Sequence, residues 1–285
     1  FFPPYTNSVG SSNSTRIGEL ASLLPFLEKS IEEYVVLSDC DFVADIDIEA
    51  MAESHIRKGA QVTVAYAHWQ KPRPGGERMV LTMAGDGRIT EILLDPEVSE
   101  CDYAVNVIII NRELLLGLVK DAMSRNYTSL GRDVFQRNLA QLKIFGWKYD
   151  GYIRVIDSMK NYLSFNLELT DKSVRKALFD KNRPIFTKVA DECPAKYGID
   201  CTVKNSLIAD GCIIEGQVEN CVLFRGVRIG KGARLKNCVV MQGSQIGENA
   251  ELSYVVMDKD GIISPSRLLA GFESYPAFIE KGSIV

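Results

Sequence analysis

Over the first 180 residues, short unbroken apolar runs alternate with stretches of helical spacing, the pattern of buried strands interleaved with amphipathic helices. Residues 34–37, Tyr-Val-Val-Leu, form one such run and end in the acidic turn Ser38-Asp39-Cys40-Asp41. A strand is expected there that delivers carboxylates at its C-terminal end, where α/β sheets place their sites. Residues 48–58 have helical spacing and stop at Gly59, and residues 61–67 follow as a β-rich run. This strand-helix-strand order argues for a parallel sheet. Lys71-Pro72-Arg73-Pro74-Gly75-Gly76 reads as a loop, and residues 80–83 and 89–94 flank Asp86-Gly87 as a hairpin. Residues 103–110 predict another buried strand, 112–123 a helix, 152–156 a short strand and 158–178 one long amphipathic helix.

Beyond Lys181 the pattern changes. Residues 182–194 read as a linker, and from about Ile199 Val, Ile, Leu, Gly and Cys recur at short intervals with no helical stretch. Val218-Glu219-Asn220-Cys221-Val222 returns as Leu235-Lys236-Asn237-Cys238-Val239 and again as Leu252-Ser253-Tyr254-Val255-Val256. Gly226-Val227-Arg228-Ile229-Gly230 returns as Gly243-Ser244-Gln245-Ile246-Gly247, so the offset is 17 residues. Within each unit apolar residues recur every six: Leu223, Ile229, Leu235 and Met241, then Val240, Ile246 and Leu252 after a one-residue slip. A hexad with glycine at the corners suits a three-sided parallel β-helix, in which each hexad makes one face and a turn. An antiparallel sandwich with regular turns is the competing architecture. From about Ile262 the repeat decays through Pro265 and Pro276, which suits a terminal cap.

A chain of 285 residues, 46% hydrophobic and 25% charged, is long enough for substantial cores. Its net charge of −4, with no basic cluster that could track a phosphate backbone, argues against nucleic acid and leaves small anionic ligands open. No apolar run approaches the roughly 20 residues that cross a bilayer, so no membrane partner is expected. The seven cysteines form no C-x-x-C pair, and with no secretory signal in view they read as reduced cytoplasmic thiols. Cys201, Cys212, Cys221 and Cys238 fall in the repeat region, where they read as small buried apolar side chains. The opening Phe1-Phe2-Pro3-Pro4, without an initiator Met, reads as the start of a fragment.

An α/β region followed by a hexad-repeat β-helix resembles the sugar nucleotidyltransferases with a C-terminal β-helix, and local strings point to the glucose-1-phosphate adenylyltransferases. Residues 35–47 resemble the family's strand ending in Gly-Asp-His-Ile-Tyr-Lys-x-Asp, which sets Asp41 on its metal-binding aspartate. Thr128-Ser129-Leu130-Gly131-Arg132-Asp133 resembles His-Asp-Phe-Gly-Lys-Asp, and Tyr152–Ser158, with Tyr162 and Asn166 downstream, resembles Tyr-Trp-Arg-Asp-Val-Gly-Thr and its helix. The resemblance implies an α/β nucleotidyltransferase fold, Rossmann-like with a mostly parallel sheet and N-terminally incomplete, over residues 1–180. It further implies a linker over 181–198 and a left-handed parallel β-helix with its cap over 199–285.

The departures from the family strings matter as much as the matches. Nucleotidyl transfer in the family uses Mg²⁺ held by carboxylates, yet Val155 stands where the second metal-binding aspartate is expected, and an isopropyl group coordinates nothing. Asp157, two positions on and roughly 6–7 Å along a strand, is the alternative ligand. Leu94-Asp95-Pro96 stands for the Glu-Lys-Pro that grips the sugar phosphate, and Ala104-Val105-Asn106-Val107-Ile108 for Ser-Met-Gly-Ile-Tyr. The Gly-rich loop that cradles ATP phosphates belongs to the fold's first strand and is not among these residues. Catalytic candidates are thus Asp41, Arg154 and Asp157, and substrate-binding candidates Asp95, Asn106, Arg132 and Asp133, with Asp41 the one metal candidate. Asp41 also reads as a helix cap or solvated acid, as do Asp39, Asp45 and Asp47, and either arginine as an ordinary ion-pair partner.

These losses resemble the GlgD-type regulatory subunit, which pairs with a catalytic subunit in glycogen-making bacteria. That resemblance implies a hetero- or homo-oligomer, a tetramer by analogy, with room for a small anionic effector. A competent transferase with a displaced metal site is the alternative. A hexapeptide acyltransferase needs a histidine base on a coil, but both histidines, His55 and His68, precede the repeat region.

Overall fold

The computed structural model describes residues 15–69, 79–94, 100–179, 182–187 and 191–285. Before the repeat region these form helices α1 (Arg16–Ser22) and α2 (Leu24–Lys29), strands β1 (Tyr34–Ser38) and β2 (Phe42–Ala44), and helix α3 (Ile48–Arg57). Strands β3 (Val62–Trp69), β4 (Met79–Met83), β5 (Ile89–Leu94) and β6 (Cys101–Asn111) follow, then α4 (Arg112–Ser124) and a π-helical segment, Leu130–Gln136. The series ends with β7 (Ile144–Lys148), β8 (Ile153–Val155), α5 (Met159–Glu168) and α6 (Lys172–Leu178). Contacts divide the chain into two compact units, one running to Cys40 and from Ile46 to Asp150, the other joining Asp41–Asp45 to Gly151–Val285.

In the first unit the long strand β6 is central, because its residues 103–110 are apolar apart from Asn106 and every one of them is buried. On one side it pairs with β3, and on the other β1 pairs with its C-terminal half while β4 meets Tyr103. Both β1 and β3 run antiparallel to β6, and β7 runs parallel to β3. So β1, β3 and β7 share one direction, as the strand-helix-strand reading implies, while β6 enters between them reversed and makes the sheet mixed. The Asp86-Gly87 hairpin forms as expected, with Gly87 at φ +83°. Helix α4 is capped by Asn111, whose side chain accepts from the Glu113 and Leu114 amides, and buries Leu115, Val119 and Ala122.

The sequence pattern did not yield α1, α2, β7 or the π-helical segment. Helices of six or seven residues carry too little periodicity to register, and the π-helical segment departs from the 3.6-residue period. His55 on α3 is 1% exposed, its Nδ1 lies 2.8 Å from Thr63 Oγ1, and its ring meets Tyr34 edge-on at 5.1 Å.

In the second unit the repeat region is a β-helix of three parallel sheets. Ile229 pairs with Ile246 and Leu235 with Leu252 in successive coils, and all four are at most 3% exposed. The inward column Leu223–Val240–Met257 places the one-residue slip at Val240, so Met241 leaves the interior. Cys212, Cys221 and Cys238 are fully buried, and none of the seven cysteines forms a disulfide.

Each corner repeats a left-handed backbone residue. One column is Asn205, Asn220, Asn237 and Tyr254, another Gly211, Gly226, Gly243 and Asp260, the third Gly232, Asn249 and Ser266. Glycine and asparagine recur there because a Cβ is costly at positive φ and Asn tolerates it best. The amide of Asn205 also donates to Asn220 Oδ1 at 2.7 Å, linking two coils.

Three expectations need correction. The helix expected over 158–178 breaks into α5 and α6, since Asp171 accepts from the Ser173 amide and starts a new helix. The stretch from Ile262 is no cap but a further coil, for Ile262–Ile263, Leu268–Ala270 and Ala277–Ile279 extend all three sheets. What masks the repeat is a lengthened corner, which spaces Val256 and Phe278 by 22 residues instead of 17. The first coil is short by contrast, pairing Thr202 with Gln217 at an offset of 15. Finally, the boundary falls after Asp150 and not after 180, because α5 buries Leu163 against Val222, Val239 and Val256 of the coils. The first coil strand, Lys196–Tyr197, likewise starts inside the expected linker.

Two outcomes follow from this packing. Leu235→Ala empties an interior position shared by three coils and should lower unfolding free energy by about 2–5 kcal/mol in urea denaturation. Burial holds the His55 pKa below its ordinary 6.5, partly offset by Glu33. A base whose folded pKa is depressed binds its proton preferentially in the unfolded chain, so stability is lost as pH falls below about 6.5. Relative to His55→Gln, wild-type stability should therefore drop between pH 7 and pH 5.5 with a slope of at most about 1.4 kcal/mol per pH unit; a difference flat with pH would refute it.

Candidate functional site

The acidic turn after β1 is split between the two units. In the first, Asp39 receives Arg16 Nη2 on Oδ1 and the Asn106 side-chain amide on Oδ2, the latter at 2.6 Å. Its backbone N–H also donates to the Asn106 carbonyl at 3.3 Å. Asp39 was expected to be a solvated turn or cap residue, yet both of its oxygens are engaged. Arg16 was not foreseen at all, since nothing in its local spacing marks it. Asn106 is 6% exposed, stands at φ +60° and has no partner for Oδ1 among the described residues.

That backbone angle explains the residue. The family string places a glycine at this position, and asparagine is the side-chain-bearing residue that best tolerates left-handed geometry. Its side chain then takes up room that a glycine would leave open. The cavity bordered by Arg16, Met79, Asn106, Leu130, Gly131 and Phe135 measures only about 10 Å³, about the space of one water.

Asp133 and Arg132 sit at the opening of the π-helical segment. Asp133 Oδ2 accepts from the Thr128 and Ser129 amides, each at 3.1 Å, and Arg137 lies 3.8 Å from its other oxygen. Burial pushes its carboxyl up, but those two amides with Arg137 and Arg132 outweigh it and hold the group below the usual carboxylate value. Its engagement is thus that of a local cap. Arg132 is exposed, with its backbone amide bonded to Ser129 Oγ at 2.9 Å. Asp95 lies outside the described residues, and Leu94 closes β5 opposite Met79.

In the second unit β2 and β8 form a two-stranded antiparallel pair with Phe42 opposite Val155. The backbone carbonyl of Asp41 accepts from the Ile156 amide at 2.7 Å. The two positions that the family resemblance assigns to metal binding are therefore brought together by chain pairing, although distant in sequence. Val155 is 5% exposed, a walled-in isopropyl group with no oxygen to offer. Asp157 lies beyond the end of β8, exposed, and accepts from the Asn161 side chain at 2.6 Å. Arg154 pairs with Glu168 at 2.9 Å and stacks on the Tyr152 ring at 4.5 Å, the ordinary ion-pair role. Burial and Glu168, against the opposing pull of Arg154, push the Tyr152 phenol up to about 12. Asp45 lies 3.3 Å from Arg183, and Asp47 caps α3 through the Ala50 amide at 2.8 Å.

Among the described residues no group of three or more His, Cys, Asp or Glu side chains could hold a metal ion. The residues at Asp41 and Val155 do not fit Mg²⁺, a hard cation that wants an oxygen-rich octahedron. No helix among the described residues is long and apolar enough to cross a membrane.

Residues 190–274 match the family described as GlmU-like, C-terminal hexapeptide, in agreement with the stacked coils. Among curated proteins the chain is 35% identical over 261 residues to the glycogen biosynthesis protein GlgD of Bacillus subtilis, covering 92% of this chain and 66% of that protein. It is 34% identical over 276 residues to GlgD of Geobacillus stearothermophilus, covering 96% of this chain and 71% of the relative. With the glucose-1-phosphate adenylyltransferase of Geobacillus stearothermophilus it shares 28% identity over 82% of its own length and 62% of the relative's. The chain thus spans about two thirds of the relatives it matches. Identity of this level across nearly the whole chain, together with the mixed sheet and the β-helix in that order, means that the chain belongs to the GlgD family.

Proposed function

We propose that this chain serves glycogen biosynthesis as a regulatory partner of a catalytic glucose-1-phosphate adenylyltransferase, which joins ATP and glucose 1-phosphate to give ADP-glucose and diphosphate. The place in glycogen biosynthesis rests on membership of the GlgD family. The absence of chemistry rests on one observation above all. Val155 is buried opposite Phe42, next to Asp41, at the position where the family resemblance wants the second carboxylate.

A phosphoryl-transferring metal needs anionic ligands that fix its geometry, and positioning with charge neutralisation supplies most of the rate in such reactions. One carboxylate beside an isopropyl group supplies neither. Displacement of the metal to Asp157 is disfavoured by its position past the strand and its bond to Asn161. A cytoplasmic location suits seven cysteines that form no disulfide.

Two measurements test the reading. Intact wild-type protein at saturating Mg²⁺ should release negligible pyrophosphate from ATP and glucose 1-phosphate. Val155→Asp alone should add little, whereas Val155→Asp with Leu94→Glu, Asp95→Lys and Asn106→Gly should release measurably more. Wild-type turnover at a catalytic subunit's level, abolished by Asp41→Asn, would overturn the proposal in favour of a displaced site. Mixed with a catalytic subunit, the protein should co-purify and change that subunit's maximum rate or effector response; neither happening would count against a regulatory role.

A further inference from the structure

The asparagine column at one corner of the β-helix is broken in its fourth coil. Asn205, Asn220 and Asn237 are followed by Tyr254, which holds the same left-handed backbone at φ +50°. A bulky residue at that angle is a true outlier. Such strain persists where the surrounding structure fixes it, and it concentrates where a side chain has a use.

The Tyr254 side chain packs beside Leu163 of α5 and the Val222, Val239 and Val256 cluster. Together with α5 it borders a groove of about 350 Å³, the lower end of the range for small-molecule sites. Its floor is apolar, through Leu163 and Leu167, and its rim carries Lys160, Ser164, Asn237 and Glu273. Glu168 also reaches the groove, with its charge already offset by Arg154 at 2.9 Å.

We propose that this groove binds a short, uncharged saccharide. The rim provides donors only in Lys160, acceptors only in Glu273, and both in Ser164 and Asn237. A sugar hydroxyl both donates and accepts, so every member of that set finds a use. The leucine floor and the tyrosine ring suit the C–H faces of a pyranose. An anionic ligand would meet the Glu273 carboxylate, and a cationic one the Lys160 ammonium, whereas a neutral polyol meets neither penalty. Neither Asn106 nor Val155 lines this groove, and it does not depend on the proposal made for them.

The test is calorimetric and saturation-transfer titration of the intact protein with glucose, maltose and cellobiose, with inorganic phosphate as the anionic comparison. Saturable binding of at least one of the sugars is expected, tighter than any binding of phosphate. Tyr254→Asn installs the residue that the preceding coils carry at this corner, so the fold should survive, and affinity should drop about five- to tenfold for loss of the ring. Glu273→Gln, on an exposed side chain, should weaken binding in the same direction with no change in thermal midpoint, and it decides the matter if Tyr254→Asn does not fold. No saturable signal with the three sugars, affinity unchanged in the folded variants, or preference for phosphate would each overturn the proposal.

Discussion

Each coil of the β-helix presents apolar side chains that have nothing to pack against within their own turn, so the stacking of one coil on the next holds the second unit together. Ile229 on Ile246 and Leu235 on Leu252 are the visible form of that dependence. The backbone follows from it. Coils can stack in register only if every corner turns alike, hence the repeated left-handed residues and the asparagine amide passed between coils. The outer surface of the stack then offers α5 an apolar face, Val222, Val239 and Val256, on which Leu163 is buried.

The first unit is organised around a different constraint, the need to pair the long apolar strand β6 on both sides. Because β6 runs against β1 and β3, the end of β1 arrives beside Asn106, and Asp39 is caught there by the Asn106 amide and Arg16. The carboxylate read from the sequence as a cap or solvated acid is thus engaged on both oxygens. Immediately beyond it the chain enters the second unit, where Asp41 joins β8 next to Val155. A single acidic turn therefore serves two local structures, Asp39 held in the first unit and Asp41 paired through its backbone in the second.

Much of this was legible in the residues. The six-residue period predicted which side chains of the β-helix face inward, and Val155 stood out because a hydrocarbon replaced a ligand. Reading failed where the signal is not periodic. The fifth coil was mistaken for a cap because its lengthened corner hid the spacing, and the reversed direction of β6 leaves no trace in an apolar run. Arg16 was missed because its partners Asp39 and Asn106 are distant in sequence. The angle at Asn106 could have been foreseen: an asparagine standing where relatives of the fold carry glycine is a sign of left-handed backbone.

The unequal corners of the β-helix bear on how such a chain can change length over time. A first coil two residues short and a last coil five residues long are both accommodated at turns, with every inward column intact. A single residue gained or lost inside a strand would instead exchange its inner and outer faces and expose a row of leucines and isoleucines. Gaps among descendants should collect at the corners, so that this half of the molecule can accept new loops, and whatever those loops learn to contact, while its interior remains the same.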